Sequence, residues 1–177
     1  WVLQQFDIKW PLNLLGGRTG TGKTDLLTEM LHRGISVIDL EGLAKHRGSS
    51  FGSMGLPPQP TTEHFENEIA ERLDIYNKKE SPEIWLEAES SNLGKCRIPN
   101  GLFKQMKTAN VLEITRIEKE RITTLIGVYG HQGQKALKEA TLRISRRLGP
   151  QRTSQAIEAI EAQNWSKACE AMLDYYD

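Results

Sequence analysis

The chain has 177 residues, 38% of them apolar, with 23 lysines and arginines against 23 aspartates and glutamates, which suits one ordinary domain of about 100–200 residues and excludes a second full one. No apolar run approaches the roughly 20 residues that span a bilayer. The two cysteines, Cys96 and Cys169, stand far apart in neither a disulfide nor a zinc pattern, so the reading is a reduced, cytoplasmic protein without a membrane segment. Trp1 is followed by no charged and apolar leader, and the start is read as lacking an N-terminal part. Zero net charge conceals blocks: residues 61–93 carry −6, residues 94–134 carry +4, residues 135–152 carry +5 and residues 153–177 carry −4. One flank is therefore basic, and a polyanionic partner stays open.

In chain order, the short apolar run 12–15 ends in glycines and precedes Leu27, Met30 and Leu31 at helical spacing, predicting strand, turn and helix. Residues 36–40 read as a second buried strand and residues 48–60 as an aperiodic surface loop. Phe65, Ile69, Leu73 and Tyr76 make 62–77 an amphipathic helix. Further strands are expected at 84–86 and 111–115, with a short helix after Pro99 between them. Alternation of this kind predicts a parallel sheet covered on both faces. Beyond Thr115 three helical stripes follow, around Ile122 to Tyr129, Leu137 to Leu148 and Trp165 to Met172, with Pro150 interrupting them. Cys169 lies on the last stripe as a buried structural thiol.

Gly17-Arg18-Thr19-Gly20-Thr21-Gly22-Lys23-Thr24 is a complete G-x-x-x-x-G-K-T phosphate loop between a predicted strand and a predicted helix. Its glycines let successive N–H groups face an anion at the positive end of the following helix, while Lys23 bridges phosphate oxygens. Thr24, with Asp39, is the candidate for magnesium. The expected fold is therefore α/β: a P-loop NTPase-like three-layer sandwich over residues 1–115, followed by a helical region, 116–177, packed with it as one domain.

Asp39 with Glu41, and Glu87 with Glu89, stand at the carboxyl ends of predicted strands, where open parallel sheets bind ligands. Such carboxylates hold a metal, accept a proton, or form ion pairs with a neighbour such as Arg47; the sequence leaves these open. The stretch 40–52 is too dense in functional groups for simple core. There Arg47 suits a phosphate clamp, Ser49 and Ser50 an anion nest, and His46 fits a structural or an acid–base role equally well.

The phosphate loop, the string Asp39-Leu40-Glu41-Gly42-Leu43-Ala44-Lys45-His46-Arg47-Gly48-Ser49-Ser50-Phe51-Gly52, and Trp85-Leu86-Glu87-Ala88-Glu89-Ser90 with Ile98-Pro99 together resemble the bacterial selenophosphate-dependent tRNA 2-selenouridine synthases. The likeness extends over about half the chain and rests most on the long middle string. It implies modification of a tRNA carrying 2-thiouridine at the wobble position. The sulfur is geranylated from geranyl diphosphate, and selenophosphate then supplies selenium as the geranylthio group leaves. It also implies a rhodanese-like domain, normally N-terminal, whose cysteine loop matches neither Cys96 nor Cys169. On this reading the catalytic set is Lys23, Arg47, Glu41, Glu87 and Glu89. The diphosphate lies on Gly17 to Thr24 with Arg47, Ser49 and Ser50. The tRNA backbone lies on the basic flank, at Lys135, Lys138, Arg143, Arg146, Arg147 and Arg152. Phosphate loop plus strand-end acid also describes a nucleotide-dependent small-molecule kinase, and a catalytically silent tRNA-binding module is the non-enzyme reading.

Overall fold

The computed structural model describes residues 1–176, with Asp174 and Tyr176 described by backbone alone. In chain order the elements are α1 (Val2–Gln5), β1 (Leu12–Gly16), α2 (Lys23–His32), β2 (Val37–Ile38), α3 (Leu40–Ala44), α4 (Thr62–Lys78), β3 (Ile84–Glu87), β4 (Asn92–Leu93), β5 (Cys96–Arg97), α5 (Asn100–Met106), β6 (Asn110–Glu113), α6 (Glu118–Tyr129), α7 (Gln134–Leu148), α8 (Pro150–Glu161) and α9 (Trp165–Tyr176). They form two compact units: Trp1–Gly17 with Lys23–Ile114, and Arg18–Gly22 with the chain from Thr115 onward.

In the first unit the strand order is β2-β3-β1-β6, and every pairing is parallel. Side chains alternate across the sheet as the period of two requires. Leu12, Leu14, Ile38, Ile84 and Leu86 enter one core with Phe65, Ile69 and Leu73 of α4 and Leu102 and Met106 of α5. Leu15 and Val37 enter a second core with Leu27 of α2, flanked by Met30, Ile35 and Trp85. Because the crossover from β1 to β2 runs one way along the sheet and the later crossovers run the other, right-handed connections put α2 opposite α4 and α5. The chain reverses direction between β1 and β3, which lie side by side. That reversal creates the crevice in which open α/β sheets bind ligands. This is the α/β, P-loop NTPase-like architecture that the phosphate loop predicts.

Three local expectations need correction. The second strand stops at Ile38, because the Asp39 carboxylate accepts the Gly42 N–H at 2.7 Å and starts α3 instead. Asp39 and Glu41 therefore do not share a strand face, and β3 likewise ends at Glu87, before Glu89. The stretch 48–60 is not wholly surface, since Phe51 and Met54 are buried. Nor is the sheet covered throughout, because every residue of the edge strand β6 is exposed.

Among the described residues the second unit contains four helices where three stripes are legible. The additional one, α8, buries mostly alanine, Ala156 and Ala159 beside Ile160, which leaves a weak periodic signal. Pro150 begins this helix rather than merely ending α7, as its fixed φ allows at a first helical position. Helix α8 packs on α7 and α9, and α9 also meets α6. Cys169 is half-buried rather than fully buried, and burial with the nearby Glu170 pushes its thiol up to about 11.

Phe65 is fully buried in the larger core. Phe65→Ala should lower unfolding free energy by about 3–5 kcal/mol in urea titrations followed by circular dichroism; a loss below about 1 kcal/mol would contradict this packing.

Candidate functional site

At the carboxyl end of β1 the chain enters the phosphate loop, and Lys23 opens α2. Its ammonium donates to the Gly17 carbonyl at 2.7 Å, holding the side chain back over the start of the loop. The next residue, Thr24, donates its hydroxyl to Glu41 Oε2 at 3.3 Å. The predicted phosphate loop and the first helix after β2 are thus joined by a side-chain contact between residues 17 positions apart.

The carboxylates come together although they do not share strands. Glu87, at the last position of β3, is fully buried, and its Oε2 accepts the Leu40 N–H at 2.9 Å. Its other oxygen, Oε1, is buried without a hydrogen-bond partner among the described residues. Burial foremost, then the neighbouring Asp39, raises Glu87 well above the usual carboxylate range. Glu41 is pushed up to about 7 by burial, with Glu89 and Asp39 adding repulsion and Lys23 opposing it. Glu89 is raised by burial while Lys23 and a hydrogen bond from Glu41 pull it down. One ammonium therefore faces two acidic groups whose proton affinities lie above the ordinary range.

Gly48 explains how the two acids approach each other. Its φ is +60°, and a β-carbon there would lie 2.8 Å from Glu89 Oε2 and 2.9 Å from Glu41 Oε1. Any side chain would displace both carboxylates. The sequence offers no direct signal for this convergence, because Gly48 reads there only as part of a loop.

Arg47, Ser49 and Ser50 occupy the adjoining turn. Arg47 Nη1 donates to the Met54 carbonyl at 2.8 Å, and the Arg47 N–H donates to the Gly52 carbonyl. The Ser49 N–H donates to the Arg47 carbonyl at 2.6 Å, while Ser49 Oγ accepts the Phe51 N–H. Ser50 is exposed. These groups brace the loop that carries Gly48, so two of the donors expected in an anion nest are engaged inside the turn. His46 packs close to Gly52 and Gly94, with its Nδ1 buried and unpartnered, and burial lowers its proton affinity. Among the described residues no group of three or more histidines, cysteines, aspartates and glutamates is arranged to hold a metal.

In the second unit, Arg18, Thr19, Gly20, Thr21 and Gly22 form the middle of the phosphate loop. Thr21 turns back on it, its N–H and hydroxyl both donating to the Arg18 carbonyl. Arg121 of α6 is 3% exposed and donates from Nε to the Thr19 carbonyl at 2.9 Å. Neither Arg121 nor Arg116 stands out in the sequence, where both are diluted among the acids Glu118 and Glu120.

The basic residues of α7 follow the helical period. Leu137, Ala140, Thr141, Ile144 and Leu148 are buried, whereas Lys135, Arg143, Arg146 and Arg147 are exposed, as is Arg152 on α8. Lys138 forms an ion pair with Glu161, and Arg147 bonds to the Tyr175 hydroxyl.

A family model described as the tRNA 2-selenouridine synthase AAA domain matches residues 10–141. The chain belongs to this family. Curated tRNA 2-selenouridine synthases agree: that of Shewanella piezotolerans is 42% identical over 122 residues, 69% of this chain and 32% of the relative. Those of Shewanella woodyi and Shewanella oneidensis are 36% and 35% identical over 131 residues, 74% of this chain and 34% of each relative. The chain thus spans about one third of the length of these synthases. No solved structure gives a significant match. No helix among the described residues is long and apolar enough to cross a membrane.

The buried Glu87 makes this synthase-family domain pH-sensitive in a definite direction. A carboxyl raised above its unfolded value of 4.5 binds more protons in the folded state. Its contribution is full below that value and is lost as pH rises through the folded one. Glu87→Gln keeps an oxygen for the Leu40 N–H and removes the titration. Thermal melts should therefore show a shallower fall in stability as pH rises above 4.5 than in the wild type; an unchanged slope would mean that Glu87 ionises freely.

Proposed function

We infer that this domain acts in wobble-uridine modification of tRNA, binding geranyl diphosphate and transferring its geranyl group to the sulfur of 2-thiouridine. In the complete synthase, a rhodanese-like domain then takes part in replacing the geranylthio group with selenium from selenophosphate, giving 2-selenouridine. Membership of the synthase family supports the tRNA substrate. The observation that carries the chemistry is the convergence of Lys23, Glu41 and Glu89 beside the phosphate loop.

Each residue has a task that its environment suits. The carboxylate of Glu41, near 7, is a base poised close to neutrality and takes the N3 proton of thiouridine. Sulfur then attacks C1 of the geranyl group, the C1–O bond breaks, and its electron pair stays on the diphosphate. Lys23 exchanges the Gly17 carbonyl for phosphate oxygens and, with the loop N–H groups, stabilises that developing charge. Glu89 holds the second acidic position against Glu41, and Glu87 fixes the start of α3 through Leu40. Arg47 braces the Gly48 turn through Met54, while Ser49 and Ser50 lie at the outer end of the same turn. Magnesium accompanying the diphosphate would be held by the oxygens of Thr24 and Asp39, with phosphate and water completing its shell, and would add positive charge at the leaving group.

The exposed cations Lys135, Arg143, Arg146 and Arg152 supply phosphate contacts for the tRNA, with Arg147 and Lys138 beside them. Arg143→Glu with Arg146→Glu should reduce the log–log salt slope of tRNA binding by about 0.7–0.9 for each lost contact. A parallel slope would remove this face from the interface.

The reaction is tested by incubating the protein with thiolated tRNA and geranyl diphosphate and analysing the nucleosides by mass. Geranylated thiouridine should form, with a rate rising as pH passes through about 7 as Glu41 ionises. Lys23→Ala should lower that rate by about 2–4 kcal/mol of transition-state stabilisation without loss of fold. ATP consumption without geranylation would overturn the reading.

A further inference from the structure

We propose that Arg116, just before α6, is a further phosphate-binding residue, placed to donate to the diphosphate held by the loop and to stabilise it as it leaves. The proposal deepens the geranyl-transfer reading and rests on it for the identity of the anion.

The geometry lies wholly within the second unit. A β-carbon at Gly22 would stand 3.2 Å from Arg116 Nη2, 3.3 Å from Cζ and 3.4 Å from Nη1. Near-equal distances to three atoms of a planar group mean that the guanidinium lies flat against the Gly22 turn. Its N–H edges then point along the loop surface, where bidentate donation to phosphate oxygens is available. Gly22 has a φ of +84°, so strain as well as space favours glycine there.

Helix α6 holds the arginine in that position. Arg121 bonds the Thr19 carbonyl, and a β-carbon at Gly20 would meet the Arg121 carbonyl at 2.9 Å and Leu125 Cγ at 3.2 Å. The helix is seated directly on the loop, with a buried arginine as the anchor. Five residues earlier, Arg116 is exposed and has no hydrogen bond or ion pair among the described residues. Glu118 and Glu120 are close in sequence yet do not pair with it. An exposed arginine that rests on a phosphate loop and is unpaired among the described residues has its natural counter-charge in the loop's ligand. In the transfer step its N–H groups meet the electron pair that the breaking C1–O bond leaves on the diphosphate, while the new S–C1 bond forms and the N3 proton is lost to the catalytic base.

The test uses the full chain and inorganic diphosphate as probe, with binding measured by calorimetry. Arg116→Ala should weaken binding by about tenfold or more at an unchanged melting temperature, and about tens of millimolar guanidinium should restore part of it. Lys119→Ala, the neighbouring exposed cation, should bind as the wild type. In geranylation the Arg116 variant should lose kcat beyond its rise in KM, because the leaving group carries more charge in the transition state. Wild-type affinity in Arg116→Ala, with binding abolished by Lys23→Ala, would overturn the arginine and leave the geranyl-transfer reading standing. Failure of the wild type to bind diphosphate would overturn both. Loss of affinity with a lowered melting temperature and no guanidinium rescue would assign Arg116 a structural role and also overturn the proposal.

Discussion

The arrangement of acids at this site depends on one buried contact, from the Leu40 N–H to Glu87 Oε2 at 2.9 Å. A carboxylate with one oxygen satisfied and the other orphaned in a fully buried place is tolerable only near its neutral form, since an unpaired buried charge costs several kcal/mol. Neutral, Glu87 ties the end of β3 to the first residue of α3. That link places Asp39 at the cap and Glu41 in the first turn, where Glu41 meets Thr24. Ionised, it would repel both Asp39 and Glu41. Its proton is thus the condition under which the other acids can gather.

This gathering serves the proposed chemistry in a way that four solvated carboxylates would not. Burial and mutual repulsion lift Glu41 to about 7, and Lys23 limits the rise. A base near neutrality and a cation for the leaving group are then supplied by the same cluster, which is the pairing that alkyl transfer from a diphosphate to a thiocarbonyl sulfur requires. The Gly48 turn, braced by Arg47, keeps Glu41 and Glu89 close enough to share influence.

Much of the fold was legible because it followed local rules. The glycine-rich run after an apolar strand announces β1, the loop and α2, and the spacing of Phe65, Ile69 and Leu73 announces α4 almost to its ends. The phosphate loop and the four acids were also legible, as residue types at expected strand ends. Their geometry was not. Asp39 reads as strand because Val37 and Ile38 precede it, whereas its carboxylate caps α3 through the Gly42 N–H and Glu87 fixes the same turn through Leu40, a tertiary contact without local trace. Helix α8 was hidden because alanine gives little contrast, and Arg116 and Arg121 because a residue's approach to a loop about 100 positions earlier leaves no periodic trace.

The most direct measurement of the central claim is the protonation state of Glu87, followed by carbon-13 NMR of labelled glutamate carboxyls across pH, with Glu87→Gln to assign the signal. A carboxyl resonance absent from that variant should keep its protonated position well above pH 4.5. A Glu87 resonance that titrates near the unperturbed value of 4.5 would contradict it.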